Sequence, residues 1–279
     1  MGKKIEETAP ASRLIIEVLG RRAEDLLNLI KVKEHALKNA PEGTVRIVRR
    51  GKKLQFYRKT EGGDYQGKYM PREEDELARR LIQKDYDERS LEKAHDELRL
   101  IQRFQTALQK NSVDTVYAAL DENRKSLVTP ATLTDEQYAE RWQNIPYRKK
   151  RINEENQKLT TDNGETVRSK SEVIIANALR FHHIPYRYEY PIVLETAGEE
   201  HREFHPDFYC LNLRTRQEYA WEHFGMMDDP DYAEQAVQKL ALYAANGWFP
   251  GKNLIITMES KNTPLSSPEI TGIIQEFLK

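Results

Sequence analysis

The sequence predicts an α/β chain, α+β overall, in which a mostly helical N-terminal arm with a β-hairpin precedes a C-terminal αβββαβα core. Three observations predict it. Apolar residues recur at helical spacing through much of residues 11–110, two β-prone runs flank Arg49-Arg50-Gly51-Lys52, and from Val167 onward short strand-like and helix-like segments alternate. The domains expected are the arm, residues 1–152, and the core, residues 165–279.

Leu14, Val18, Ala23, Leu26, Leu27 and Ile30 lie close to helical spacing from about Ala11 to Ala40, and Pro41-Glu42-Gly43 stops that helix. Thr44–Val48 and Lys53–Tyr57 then form a hairpin over about 44–59, and Glu61-Gly62-Gly63-Asp64 is a loop. A long polar helix from about Pro71 to Lys110, with a possible break near Asp85-Tyr86-Asp87, carries Leu77, Leu81, Leu91, Leu98, Ile101 and Leu108. Two such narrow apolar faces pair as a coiled-coil-like hairpin or with a second subunit, which makes a homodimer through these helices an expected assembly. Thr134-Asp135-Glu136-Gln137 starts a helix with Tyr138 and Trp142 on one face. The basic run Arg148-Lys149-Lys150-Arg151 and the polar linker 153–164 follow. In the core, Ser171–His182 is a helix with Val173, Ile174, Ala176, Leu179 and Phe181 as its apolar positions. Ile184–Leu194, Arg202–Cys210 and Glu218–Phe224 are an antiparallel meander. Pro230–Asn246 is a crossover helix packing through Ala233, Val237, Leu240 and Ala244, Asn253–Met258 is a strand parallel to the third, and Pro268–Leu278 closes the core.

Composition bounds the function classes. Charged residues make up 32% of the 279, and no apolar run approaches a membrane span; the start Met1–Glu7 lacks the core of a signal peptide. With one cysteine, Cys210, no internal disulfide can form, and a cytoplasmic location is expected. The net charge of −1 hides an asymmetry: residues 1–164 hold 33 Lys and Arg against 28 Asp and Glu, and residues 165–279 hold 11 against 17. A basic half beside an acidic half suits a nucleic-acid grip joined to a cation site, although helices rich in lysine and glutamate also solvate themselves.

Glu172, Asp207, Glu222 and Lys239 carry the chemistry. Side chains alternate along a strand, so His205, Asp207 and Tyr209 share one face, and Ala220, Glu222 and Phe224 share one face of the next, with Trp221 and His223 opposite. If Asp207 and Glu222 are cross-strand neighbours, two carboxylates converge and repel unless a cation joins them. Attack of water on a phosphodiester needs charge stabilisation and an activated nucleophile, and Mg2+, anchored by a few carboxylates, supplies both. On the crossover helix Tyr232, Ala236, Lys239 and Tyr243 share a face, from which Lys239 reaches toward Glu222. The competing readings are a structural ion pair of Asp207 or Glu222 with Arg180 or Arg187, and a solvated Lys239. In the hairpin, Arg49, Arg50, Lys52 and Lys53 interleave with Phe56 and Tyr57 as a backbone-gripping ribbon does, or as a solvated edge does. The histidines fit no common zinc spacing.

Arg168-Ser169-Lys170-Ser171-Glu172, Pro206-Asp207 and Trp221-Glu222-His223-Phe224-Gly225, set in the αβββαβ order, resemble the PD-(D/E)XK nuclease superfamily over about residues 168–278. The resemblance implies a restriction-endonuclease-like core and metal-dependent (deoxyribo)nuclease activity. It implies DNA as partner and Mg2+ held by Glu172, Asp207 and Glu222, with Mn2+ able to substitute. It implies Asp207, Glu222 and Lys239 as catalytic residues, with Lys170 added to the nucleic-acid contacts. One position departs from the pattern: Phe224 stands where the motif places a lysine, and Lys239 is the substitute. The same substitution favours an alternative, a catalytically inactive nuclease-fold scaffold that binds nucleic acid or assembles subunits.

Overall fold

The computed structural model describes residues 11–60, 62, 65–148, 159–196 and 200–279. The first ten residues, Lys149 to Arg151 of the basic run, 153–158 of the expected linker, and Glu61, Gly63 and Asp64 of the expected loop lie outside the described residues. The fold is mixed helix and strand, in two compact units covering residues 11–128 and 129–279.

In the first unit α1 (Ala11–Lys38) leads into β1 (Thr44–Arg50), β2 (Lys53–Lys59) and β3 (Lys68–Met70), and a 3-10 turn at Arg72–Glu74 leads into α2 (Asp75–Asn111). Leu26 and Ile30 of α1 bury against Ala94, Leu98 and Ile101 of α2, and the pairs Arg22–Glu97 and Lys33–Asp87 show that the helices run antiparallel. Arg22 forks onto Glu97, and Lys33 Nζ donates to the buried Asp87 at 2.6 Å, with Gln83 donating to the same oxygen. Asp87 is thus satisfied inside the helix pair, and α2 runs unbroken through 85–87. The strands form an antiparallel sheet in the order β1-β2-β3. Its Val45, Phe56 and Met70 pack on Leu77, Ala78 and Leu81 of α2. The third strand and the short helices α3 (Asp114–Ala118) and α4 (Glu122–Lys125) complete the unit.

The second unit opens with α5 (Asp135–Gln143), upstream of the boundary expected at 153–164. Thr134 Oγ1 accepts from Gln137 N–H and the Gln137 side chain accepts from Thr134 N–H, a reciprocal cap. Thr134→Ala should cost about 1 kcal/mol, read as a lower urea midpoint at unchanged slope. A short ladder of β4 (Leu159–Thr160) and β5 (Thr166–Val167) precedes α6 (Lys170–Phe181). Then come β6 (Tyr186–Tyr188), β7 (Ile192–Thr196), β8 (Glu200–Phe204), β9 (Phe208–Leu211) and β10 (Glu218–Phe224). The crossover α7 (Pro230–Ala245), β11 (Leu254–Met258), α8 (Ser267–Ile273) and a π turn over Ile274–Leu278 follow.

The central sheet has the order β11-β10-β9-β6, with β11 parallel to β10 and the other pairs antiparallel. On one face Ile175, Ala176 and Leu179 of α6 and Ile270 of α8 pack on Phe208, Cys210, Trp221 and Ile255. On the other, Trp142 of α5 and Tyr243 of α7 pack on Tyr209, Leu211, Ala220 and Leu254. The alternation along each strand divides these two cores.

Four details differ from the sequence reading. The first two strands of the meander are each interrupted, at Tyr190-Pro191 and at His205-Pro206, where proline removes a ladder donor. Their outer halves, β7 and β8, pair with each other as a separate two-stranded sheet. On α6, Ile175 is the buried residue, whereas Ile174 is exposed and Phe181 is 78% exposed at the helix end. On α7, Val237 is 64% exposed, and the packed face is the one carrying Ala236 and Tyr243.

Candidate active site

β9 pairs with β10 so that Phe208 faces Trp221, and one further step of that register sets Asp207 opposite Glu222. The ladder ends at Phe208, and Asp207, preceded by Pro206, stands just outside it. Asp207 Oδ2 accepts from His223 N–H at 2.7 Å, while its carbonyl accepts from Glu189 N–H at 3.1 Å. Glu222 is 1% exposed. Its two oxygens are taken by α7: Lys239 Nζ lies 2.7 Å from Oε2 and Tyr243 OH donates to Oε1 at 2.5 Å. Lys239 and Tyr243 stand four residues apart, which puts both on the helix face turned to the sheet. Asp229 caps α7 by accepting from Asp231 and Tyr232 N–H, and Pro230 fixes its first turn. The Tyr232 hydroxyl then accepts from Gly225 N–H at 3.2 Å, tying α7 to the end of β10.

Glu172 comes from the first turn of α6. Ser169 caps that helix by accepting from Glu172 N–H at 3.1 Å. The Glu172 carboxylate accepts from Arg168 N–H at 2.9 Å and from the Tyr188 hydroxyl at 2.7 Å. Nearby, Arg168 forks onto the buried Glu189, with Nε at 2.8 Å from one oxygen.

Burial, then repulsion from Glu222, then from Glu172, pushes the Asp207 carboxyl well above the usual carboxylate range, against the His223 N–H and Lys239, which lower it. The other three sequence-selected residues thus all act on Asp207. Burial and Glu222 likewise push the Tyr243 phenol up, and burial with Glu172 does the same for Tyr188. A cleft of about 180 Å3 opens between Asp207, Glu222, Tyr232, Gln235 and Lys239, with Phe224 in its wall.

Among the described residues no group of three or more His, Cys, Asp or Glu side chains is gathered into a ready-made metal cluster. The carboxylates nevertheless fit a hard cation. Mg2+ takes oxygen ligands, needs only one or two protein carboxylates and keeps several waters. Asp207, with a carboxyl disfavoured as an anion and only Oδ2 engaged among the described hydrogen bonds, is the oxygen donor such an ion would relieve. Glu222 stands beside it, and Glu172 is already held by Tyr188 and Arg168.

The ion-pair alternatives go elsewhere. The Arg187 guanidinium lies 3.8 Å from the Trp142 ring centroid and 4.4 Å from that of Tyr190, and Arg180 donates to the Asp162 carbonyl. His223 turns to the opposite face, as alternation requires, with Nδ1 3.0 Å from Thr257 Oγ1 and Nε2 3.2 Å from Glu259. His205 Nδ1 lies 2.8 Å from the Glu189 carbonyl, so it is engaged beside Asp207. Lys170 is exposed at the start of α6. Arg49, Arg50, Lys52 and Lys53 are exposed on the hairpin of the first unit. Cys210 is fully buried, with its thiol pushed up by burial, and is inert packing. Sequence reasoning placed Tyr243 on the face of Lys239 without giving it a role, and it missed Tyr188; a tyrosine on the packed face near a buried acid was the available signal.

No helix among the described residues is long and apolar enough to cross a membrane. No protein-family model matches the chain, and no solved structure does. It is similar to Uncharacterized protein MJ1519 of Methanocaldococcus jannaschii, with 32% identity over 126 residues, 45% of this chain. That stretch is 10% of the relative, so the chain spans about a tenth of the length of the protein it matches.

Proposed function

We propose that the chain is a metal-dependent nuclease that hydrolyses phosphodiester bonds, in DNA, and that residues 168–278 form a PD-(D/E)XK-like core. The observation that carries the reading is the cleft in which Asp207, Glu222 and Lys239 meet, with the Asp207 carboxyl pushed up by burial and by a second carboxylate. Paired acids that repel each other inside a polar cleft suit a cation. When bound, Mg2+ (or Mn2+) supplies charge stabilisation and an ionisable water. Asp207 and Glu222 would hold it. Tyr243 fixes the rotamer of Glu222 from below, and Lys239 places a positive charge at the cleft, where it orients the attacking water and offsets charge on the phosphoryl oxygens. Phe224 closes the wall and excludes bulk water, and the lysine that the motif places there is supplied from α7 instead.

Supercoiled plasmid and single-stranded DNA incubated with Mg2+, Mn2+ or EDTA test this directly. Cutting should need the metal and vanish in Asp207→Ala. Silence with every metal moves the weight to the second reading, a catalytically inactive scaffold. The saturation of both Glu222 oxygens by Lys239 and Tyr243 favours that reading.

A further inference from the structure

The register of the three-stranded sheet in the first unit sorts its side chains into two different faces. Val45, Phe56 and Met70 point to α2. Arg46 pairs with Tyr57, Tyr57 with Tyr69, and Arg50 with Lys53, so these five share the face turned away from α2. Arg46 and Tyr69 are exposed, Tyr69 at 49%. The Arg46 guanidinium lies 4.7 Å from the Tyr57 ring centroid, and the Tyr57 and Tyr69 rings meet edge-on at 5.6 Å. The strands β1, β2 and β3 contain no acidic residue.

Cations alone read as a solubilising edge. Aromatic rings at the centre of an exposed sheet, bracketed by cations and backed by a packed face, are a different device. A solvated edge does not need Tyr69 half-exposed beside Tyr57 and Arg46. A duplex offers the sheet phosphates but keeps its bases stacked internally. A single strand offers phosphates and flat, unstacked bases together. We propose that the outer face of this sheet binds single-stranded nucleic acid, with a base stacked on Tyr69 beside the Arg46–Tyr57 pair and phosphates held by Arg46, Arg50 and Lys53. The site lies in the unit that does not carry Asp207 and stands whether or not the other unit cuts. It also narrows the hairpin contacts read from sequence. Arg49 falls on the opposite face, where its Nε donates to the Gly51 carbonyl at 3.3 Å, whereas Arg50 and Lys53 remain.

Fluorescence anisotropy of labelled dT15, U15 and a 15-base-pair duplex, with the full chain in EDTA, tests this without any contribution from cleavage. Wild type should bind the single strands more tightly than the duplex. Tyr69→Ala should weaken single-strand binding about tenfold and leave duplex binding within about twofold, and Tyr69→Phe should restore it. Arg46→Gln should lower the salt slope of dT15 binding by about 0.7, and Lys68→Gln, a cation on the other face, should not change it. The dT15 and U15 arms show whether the strand is DNA or RNA. No binding by wild type, duplex binding as tight as single-strand binding, or a Tyr69→Ala variant indistinguishable from wild type would each overturn the proposal. Circular dichroism of the variants should match wild type, because Tyr69 and Arg46 project from the surface.

Discussion

Asp207→Asn is expected to lower metal-dependent cleavage about 100- to 1,000-fold while making the metal-free protein more stable at neutral pH. The loss follows from removing one oxygen anion from the proposed cation site. The gain follows from removing a charge that burial and Glu222 both oppose. Asparagine keeps an oxygen able to accept from His223 N–H, so the register is undisturbed. The pH dependence has a definite sign. The folded-state pKa lies above the ordinary value of 3.8, so the folded protein holds this proton more tightly than the unfolded chain. That contribution to stability is present below the ordinary value and is lost as pH rises through the raised folded one. The asparagine variant should lack this slope. Mg2+ provides the converse check: at a hundredfold excess over Kd it should stabilise wild type by about 2.7 kcal/mol, roughly 2–4 °C in Tm for each kcal/mol, and leave Asp207→Asn unmoved. A variant that melts earlier than wild type without metal would show that the carboxylate is a structural partner and not a cation ligand.

Lys239→Met is expected to abolish cleavage and to destabilise residues 129–279 by about 2–3 kcal/mol. Glu222 would remain buried with the Tyr243 hydroxyl alone to balance it. Breaking a buried pair costs about 3–5 kcal/mol, reduced here because the Lys239 side chain is 31% exposed and water screens it. The double variant Lys239→Met with Glu222→Gln removes both charges and leaves an amide oxygen for Tyr243, so most of the stability should return while cleavage does not. Urea unfolding of the three proteins separates the effects, because the single and double variants differ only in charge at Glu222. If Lys239→Met unfolds and cuts as wild type does, Lys239 is an ordinary solvated helix lysine.

Much of the site was legible because strand alternation is a strict period-two rule. Once Asp207 and Glu222 were set on adjacent antiparallel strands, their facing positions followed, and so did the opposite aim of His223. The 3.6 period likewise put Lys239, Ala236 and Tyr243 together, although it could not say which of two neighbouring stripes meets the sheet. Ala236 is buried and Val237 exposed, because the stripe that carries Ala236 also carries the Lys239 and Tyr243 that bond Glu222. The strand breaks were written in the sequence as Pro191 and Pro206. Apolar and aromatic residues on both sides concealed them, and only the pairing partners decide whether a proline bends a strand or ends it. The attachment of α5 had no local signal at all. It rests on Trp142, whose ring packs against Arg187 and lies stacked at 6.0 Å from Tyr209, contacts between residues that share no sequence neighbourhood.

The hydrogen bond from Ser171 Oγ to Glu259 Oε1, 2.6 Å long, joins residues 88 positions apart. Ser171 precedes Glu172 on the first turn of α6, and Glu259 follows directly on β11, where its other oxygen accepts from Leu265 N–H. This tie on the acid-bearing end of α6 therefore forms only once β11 has docked beside β10. Closing so long a loop is slow, and contacts of high sequence separation form late. Recovery of the site after denaturation should accordingly trail the return of helical signal, tracking the step that seats β11. A Ser171→Ala chain should regain its helices at the wild-type rate.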